Sequence, residues 1–286
     1  MPKFSFSGHD TFPCRQLWLK KGYDFIKANK SFKSEDAVID LGVGKNMVSA
    51  IRFWMRAMDI LTQEDELTNF AIHLLDDEGW DPYLEDEMSL WLLHYNLVKK
   101  GVASSYGLIF NELRREKIEF NKNTYFGFLK RKAEQLKALQ VNEKTIFDDF
   151  GVLIKMYIRS DGKVKEDIFQ GLFTELNLIK PLGKRGEELY SIENKERDEL
   201  PEALFLYIIL DNCAADSSSI SISTIEQDHN NVTSVLAVSR TSLASRLEQI
   251  SKKYDCINYS DHAGIKELQI KRQITPLEIL NHYYAN

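Results

Sequence analysis

The chain has 286 residues, 43% of them hydrophobic and 28% charged, and its 37 Lys and Arg against 43 Asp and Glu give a formal net charge of -6. That composition excludes a disordered chain, and the longest apolar run, Ala203 to Leu210, is too short for a membrane span. The acidic balance speaks against a protein that coats nucleic acid by bulk charge, while leaving room for a local basic face.

In chain order, the opening Met1-Pro2-Lys3-Phe4-Ser5 lacks the apolar block of a secretory signal, which predicts a cytoplasmic protein. Ser34-Glu35-Asp36 offers a capping oxygen and first-turn acids for a short helix. Asp40 to Gly44 then makes a glycine-bearing turn, and Lys45 to Met58 reads as a second helix before a strand at Ile60-Leu61. Glu87 to Lys100 and Ser105 to Glu116 read as helices, and the charged Lys130 to Glu143 as a solvated helix or connector. Asp167 to Leu176 places Ile168, Phe169, Leu172 and Leu176 at helical spacing. Beyond it Leu178-Ile179, the turn Gly183-Lys184-Arg185-Gly186 and Glu188 to Ile192 form a hairpin with a basic tip, the pattern of a wing. A similar arrangement recurs in Ser239 to Lys253, Ile257 to Tyr259 and Leu268 to Lys271. The expected fold is α+β and predominantly α-helical, with several winged helix-turn-helix-like modules joined by helical connectors. The expected domains are an N-terminal helix-turn-helix domain with a helical region over 1–135, a central winged-helix-like module over 136–200 and a C-terminal one over 201–286. Cys14, Cys213 and Cys256 are odd in number and scattered, so they predict reduced thiols rather than disulfides or a zinc site.

On a helical wheel, Met47, Val48, Ile51, Trp54, Met55 and Met58 share one arc, and Lys45, Ser49, Arg52 and Arg56 lie opposite. A helix that buries the first face and offers the second, after a helix and a glycine turn, fits a recognition helix. Its arginines suit guanine or phosphate, and its N-terminal amides at Gly44-Lys45-Asn46 suit phosphate. Lys45, Asn46, Ser49, Arg52 and Arg56, with Lys184 and Arg185 at the hairpin tip, are therefore the candidate DNA contacts. The plainer alternative is a surface helix with ordinary basic residues, or a protein-docking module. Leu41-Gly42-Val43-Gly44-Lys45 lacks the spacing of a phosphate loop.

Two strings are rich in reactive side chains. In Gly8-His9-Asp10-Thr11-Phe12-Pro13-Cys14-Arg15, His9 beside Asp10 offers a general base or metal ligand and Arg15 a phosphate contact, against the reading that Asp10 or Thr11 caps a helix. Asp81, Glu85 and Asp86, ahead of a helix bearing Trp91 and His94, offer oxygens to Mg²⁺ or Mn²⁺, against the reading that they are caps. Glu193-Asn194-Lys195 with Asp167 matches a nuclease half-motif of a kind that chance supplies often. No zinc-hydrolase spacing or nucleophile signature is present, and Cys14 reads as a small semi-buried residue.

Several strings together resemble one family over nearly the whole chain. They are Phe6-Ser7-Gly8-His9-Asp10-Thr11-Phe12, Leu41 to Val48 with Arg52-Phe53-Trp54, Asp81 to Asp86 with Trp91 to Tyr95, Ala263-Gly264, Pro276-Leu277-Glu278 and Tyr283-Tyr284. They are similar to the SspB-type proteins of DNA phosphorothioation defence operons, long catalogued as a domain of unknown function. Asp10 departs from the usual Glu, and Glu87 from the Pro that often follows the acidic pair. The resemblance implies a DNA nicking endonuclease that opens one strand for sulfur modification, and the enzyme reading that follows from it expects a Mg or Mn cofactor. It also implies double-stranded DNA, a cysteine desulfurase, an ATPase and a sulfur transferase as partners, and leaves a homodimer open. It makes His9, Asp10 and Arg15 the catalytic candidates. The alternative is a non-catalytic DNA-recognition or repressor-like subunit that recruits modification enzymes.

Overall fold

Helical spacing becomes helix over most of the chain in this computed structural model, which describes residues 4–136, 142–159, 170–183, 188–214, 216–262 and 264–285. The chain divides into two compact units, Met1–Ile192 and Glu193–Asn286. The expected boundary at 135/136 thus falls inside the first unit, and the division at 192/193 lies close to the expected one at 200/201.

The first unit opens with α1 (Gln16–Lys27), α2 (Ala37–Leu41) and α3 (Lys45–Ala57). Gly42 ends α2 in the left-handed region at φ 60°, a conformation that costs an L side chain free energy and glycine little. This is the helix, turn and helix expected from the glycine-bearing string. After α3, where a strand is expected at Ile60-Leu61, the chain makes a single antiparallel bridge between Leu61 and Leu67. Next come α4 (Asn69–Leu75) and α5 (Glu87–Lys100). Every residue from Met88 to Val98 is buried, so α5 is packed on all sides and forms the unit's central rod, with Ser89, His94 and Asn96 among its apolar residues. A helical stretch follows as α6 (Ser104–Leu108), one π turn over Ile109–Leu113 and α7 (Arg114–Glu116).

The rest of the unit comprises β1 (Glu119–Phe120), α8 (Lys122–Leu136), α9 (Glu143–Tyr157), β2 (Lys180–Pro181) and β3 (Tyr190–Ser191). β3 lies between the other two strands, antiparallel to both, with Tyr190 opposite Phe120 and Pro181. Over the expected Asp167 to Leu176 helix, the described residues form only a 3-10 turn, Thr174–Leu176. The amides there have other partners: Leu172 N–H donates to Cys14 O at 3.0 Å and Phe173 N–H to Met156 O at 3.0 Å. Gly171 presses on the end of α9 so closely that a Cβ would sit 2.1 Å from Lys155 O. Asp167, Lys184 and Arg185 lie outside the described residues.

The second unit contains α10 (Glu202–Asp211), β4 (Ser219–Ser221), α11 (Ile222–Gln227), α12 (Val232–Val235), α13 (Arg240–Lys253), β5 (Ile257–His262), β6 (Ile265–Ile270) and α14 (Pro276–Tyr284). The apolar run Ala203 to Leu210 is buried throughout in α10. β5 and β6 form the expected hairpin, and β4 returns to pair with β6. Both three-stranded sheets therefore have one pattern: a strand, helices, then a hairpin whose last strand lies between its partner and the first strand. Among the described residues, no helix is long and apolar enough to cross a membrane.

Candidate functional site

The 3.6-residue period of α3 fixes its orientation. Val48, Ile51, Trp54 and Met55 are buried, as the wheel predicts, while Lys45, Asn46 and Ser49 are exposed at its N-terminal end. Gly44 caps the helix without a side-chain acceptor, so the first amides and the positive end of the helix dipole face outward beside Lys45.

Arg52 and Arg56 occupy the expected face but are not open cations. Asp65, in the loop after α3, accepts Arg52 Nε–H at 2.9 Å and Nη2–H at 2.6 Å, a two-bond fork. The same carboxylate lies 2.8 Å from Arg56 Nη2, which also donates to Gln63 O. Burial pushes the Asp65 carboxyl upward, but the bonds and charge of Arg52, with the charge of Arg56, outweigh it and hold the group below the usual carboxylate range. Sequence periodicity locates the arginines but not this partner. The one available signal is the acid-rich Glu64-Asp65-Glu66 directly after the helix.

A groove of about 470 Å³ runs along this face, lined by Ser7, Gly8, Ser49, Arg52, Phe53 and Arg56 among others. The reactive N-terminal string therefore borders the basic face of α3. Gly8, at φ 121°, lies on the Phe53 ring, where a Cβ would come within 2.6 Å of Cδ2. Asp10 and Thr11 follow in a tight turn closed by Phe12 N–H to His9 O at 2.9 Å, both left-handed at φ 45° and 66°. Trp54 holds the turn from beneath, its Nε1–H donating to Phe12 O at 2.9 Å.

The three catalytic candidates point to different surroundings. His9 is buried, stacked on Trp54 at 5.4 Å with the rings 10° apart. Its acid is Asp149 of α9, with Nε2 2.7 Å from Oδ1, and not the neighbouring Asp10, which is exposed. Ser105 Oγ donates to the other Asp149 oxygen and lies 2.5 Å from Tyr125 Oη. Burial raises the Asp149 carboxyl, opposed by His9 and Ser105. His9 Nδ1 is buried without a hydrogen-bond partner. This chain ties the N-terminal turn to the helical core through three buried polar groups. A carboxylate three residues after Ile146 and one before Phe150, on the apolar stripe of a helix, is the sequence signal that would have located Asp149. Arg15 stands at the start of α1 with its guanidinium 5.2 Å above the Trp18 ring.

Asp81, Glu85 and Asp86 do not fit a shared cation. Asp81 accepts Glu85 N–H through Oδ1 and Asp86 N–H through Oδ2, each at 2.9 Å, and Asp86 caps α5 by accepting Met88 N–H at 2.8 Å. Asp81 and Asp86 therefore have the geometry of caps, and no group of three or more His, Cys, Asp or Glu among the described residues is placed to hold a metal ion. His94, on the same helix, is buried with Nδ1 2.7 Å from Tyr157 Oη. Cys14 is wholly buried, and burial pushes its thiol far above the ordinary range, so it is chemically quiet.

Comparison with known proteins follows the same outline. A family model described as "Protein of unknown function (DUF4007)" matches residues 6–284. A crystal structure described as magnesium ion-bound SspB is similar at 27% identity and a TM-score of 0.87, covering 99% of this chain and 88% of that one. A second SspB crystal structure is similar at 27% identity and 0.86, with the same coverage. No curated protein matches the chain. The resemblance to SspB-type proteins implied by the motifs is thereby borne out.

Proposed function

Because this chain belongs to the family described as protein of unknown function (DUF4007), we propose that it is a DNA-binding protein of a DNA phosphorothioation system, which nicks one strand of the duplex for sulfur modification. The observation that carries this reading is its likeness to SspB along 99% of its length. In this reading, the α11 to β6 region of the second unit and the β1 to β3 region of the first are winged-helix-like modules, and α3 is a recognition helix. Lys45, Asn46 and Ser49 at the open end of α3 meet phosphates and base edges. Arg52 and Arg56 join them when phosphate oxygens displace Asp65, an exchange of one anion for another. The sulfur-modification enzymes are its partners, and its place is the cytoplasm.

His9 acts in this reading by position. Anchored to Asp149 and stacked on Trp54, it holds the Gly8 to Phe12 turn against the groove, with Asp10 at the surface. No residue set is assigned to a divalent cation.

The test is conversion of supercoiled plasmid to open circles with Mg²⁺, with Mn²⁺ and with EDTA. Nicking that Arg52→Ala and Lys45→Ala weaken supports the proposal; no nicking in any metal overturns the nuclease part. The burial of His9 favours a second reading, a DNA-recognition subunit that recruits modification enzymes. Its distinguishing result is salt-dependent DNA binding that Lys45→Ala weakens, with no strand cleavage at any protein concentration.

A further inference from the structure

A cleft of about 660 Å³ lies where the first turns of α1 face the chain after α9, a size within the range of small-molecule sites. It shares no lining residue with the groove along α3. Arg15, Lys21 and Arg159 line it, and Glu175 is the one carboxylate among the described lining residues. Lys21 Nζ donates to Leu41 O at 2.9 Å and Arg159 Nε–H to Gln170 Oε1 at 2.9 Å. Among the described residues, these are neutral acceptors, which orient the two cations without cancelling their charge. α1 begins here without a side-chain cap, so its dipole adds to the same sign. The remaining lining is apolar at Leu17, Val43, Leu90 and Leu172, with Trp18 beneath Arg15, and neutral polar at Gln16, Gln170 and Thr174. The cations call for an anion, and the apolar part of the lining calls for a flat, weakly hydrated group on the same molecule.

We propose that this cleft is a binding site for a nucleoside phosphate, its phosphates held by Arg15, Lys21 and Arg159 and its base laid along the apolar wall. The proposal does not rest on the DNA reading, since the two cavities are separate. Plasmid nicking can fail while nucleotide binding succeeds, and the reverse.

The test is calorimetric titration of the full chain with ATP, ADP, GTP, inorganic phosphate and a 5′-phosphorylated oligonucleotide. Lys21 and Arg159 are exposed, so Lys21→Glu and Arg159→Glu leave the fold intact, which the melting temperature without ligand verifies. The expected result is nucleotide binding that each reversal weakens by about tenfold or more, as loss of a charged phosphate contact and gain of a repulsive one require. Lys252→Glu, an equal change of net charge at an exposed position of α13, is expected to leave it unchanged. The proposal is overturned if no mononucleotide binds at millimolar concentration, or if the reversed variants bind as the parent does. Inorganic phosphate binding as tightly as nucleotide would remove the nucleoside part. Binding of the oligonucleotide alone would make the cleft part of a DNA surface and overturn the proposal as well.

Discussion

Asp65 gathers two of the five cationic or polar groups on the outward face of α3, so its removal is the most informative single change at the surface. Asp65→Asn keeps the size and one acceptor but releases the charge of Arg52 and Arg56. DNA binding measured by fluorescence anisotropy at low salt is expected to tighten several-fold; weaker binding would mean that Asp65 orients the arginines for DNA rather than competing with it. The pair also sets a pH dependence. Because the folded-state carboxyl is held below its ordinary value, its contribution to stability is present above about pH 4 and is lost as pH falls through the folded pKa. Asp65→Asn removes that acid slope, with a modest effect because the pair is partly solvated. Asp149 has the opposite sign. Its carboxyl is raised, chiefly by burial, so its contribution is greatest in acid and declines as pH rises from about 4 through the folded pKa. Truncation by Asp149→Ala leaves His9 and Ser105 without their shared acceptor in a dry core. Urea unfolding is expected to record a loss of about 3 kcal/mol, the magnitude of breaking a buried pair from one side. His9→Gln, which retains an N–H donor, is expected to unfold near the parent and to retain DNA binding. A folded His9→Gln protein that had lost DNA binding would give the ring a part beyond positioning.

The turn that carries the N-terminal motif is strained in a way that its neighbours explain. Thr11 is β-branched and left-handed at φ 66°, an arrangement that the Phe12 to His9 hydrogen bond and the Trp54 contact with Phe12 O impose. Thr11→Gly is expected to raise stability by about 1 kcal/mol by removing the left-handed cost, less the extra chain entropy glycine loses on folding. Thermal unfolding measures it, and a destabilised variant would show that the threonine side chain makes contacts that matter more. Gly8→Ala should act the other way. Its Cβ would meet the Phe53 ring at 2.6 Å with the backbone at φ 121°, so a loss of about 2–3 kcal/mol and a displaced turn are expected. Both variants act on one element, the turn that borders the α3 groove, and a paired DNA-binding measurement separates its strain from its recognition role.

Across the whole molecule, a net charge of -6 repels duplex DNA, so binding must come from a small number of local contacts. Three charged contacts, Lys45, Arg52 and Arg56, give an expected slope of log K against log salt of about -3. The Asp65→Asn protein should show a steeper slope; a slope near zero would remove α3 from the interface. The faces of α3, the buried run of α10, the α13 helix with its hairpin and the limits of α5 were all readable in advance, because each follows from a short-range period or a local cap. The 3-10 turn in place of a helix near Leu176 was not, since Leu172 and Phe173 donate their amides to Cys14 and Met156, partners that helical spacing cannot name. The same limit governed the site. Composition, periodicity and motif identified His9, Arg52, Arg56 and Asp81 as notable residues, because side-chain chemistry and helical phase are carried in neighbouring letters. Only the tertiary structure decided that His9 meets Asp149 rather than Asp10, that Asp65 holds both arginines, and that Asp81 caps a loop instead of gathering a cation. The first outcome depends on which distant segments pack together and on how far burial raises the cost of an unpaired charge, which residues adjacent in the chain do not set. The caps of Asp81 reach only four and five residues along, and there the fold chose between two local readings.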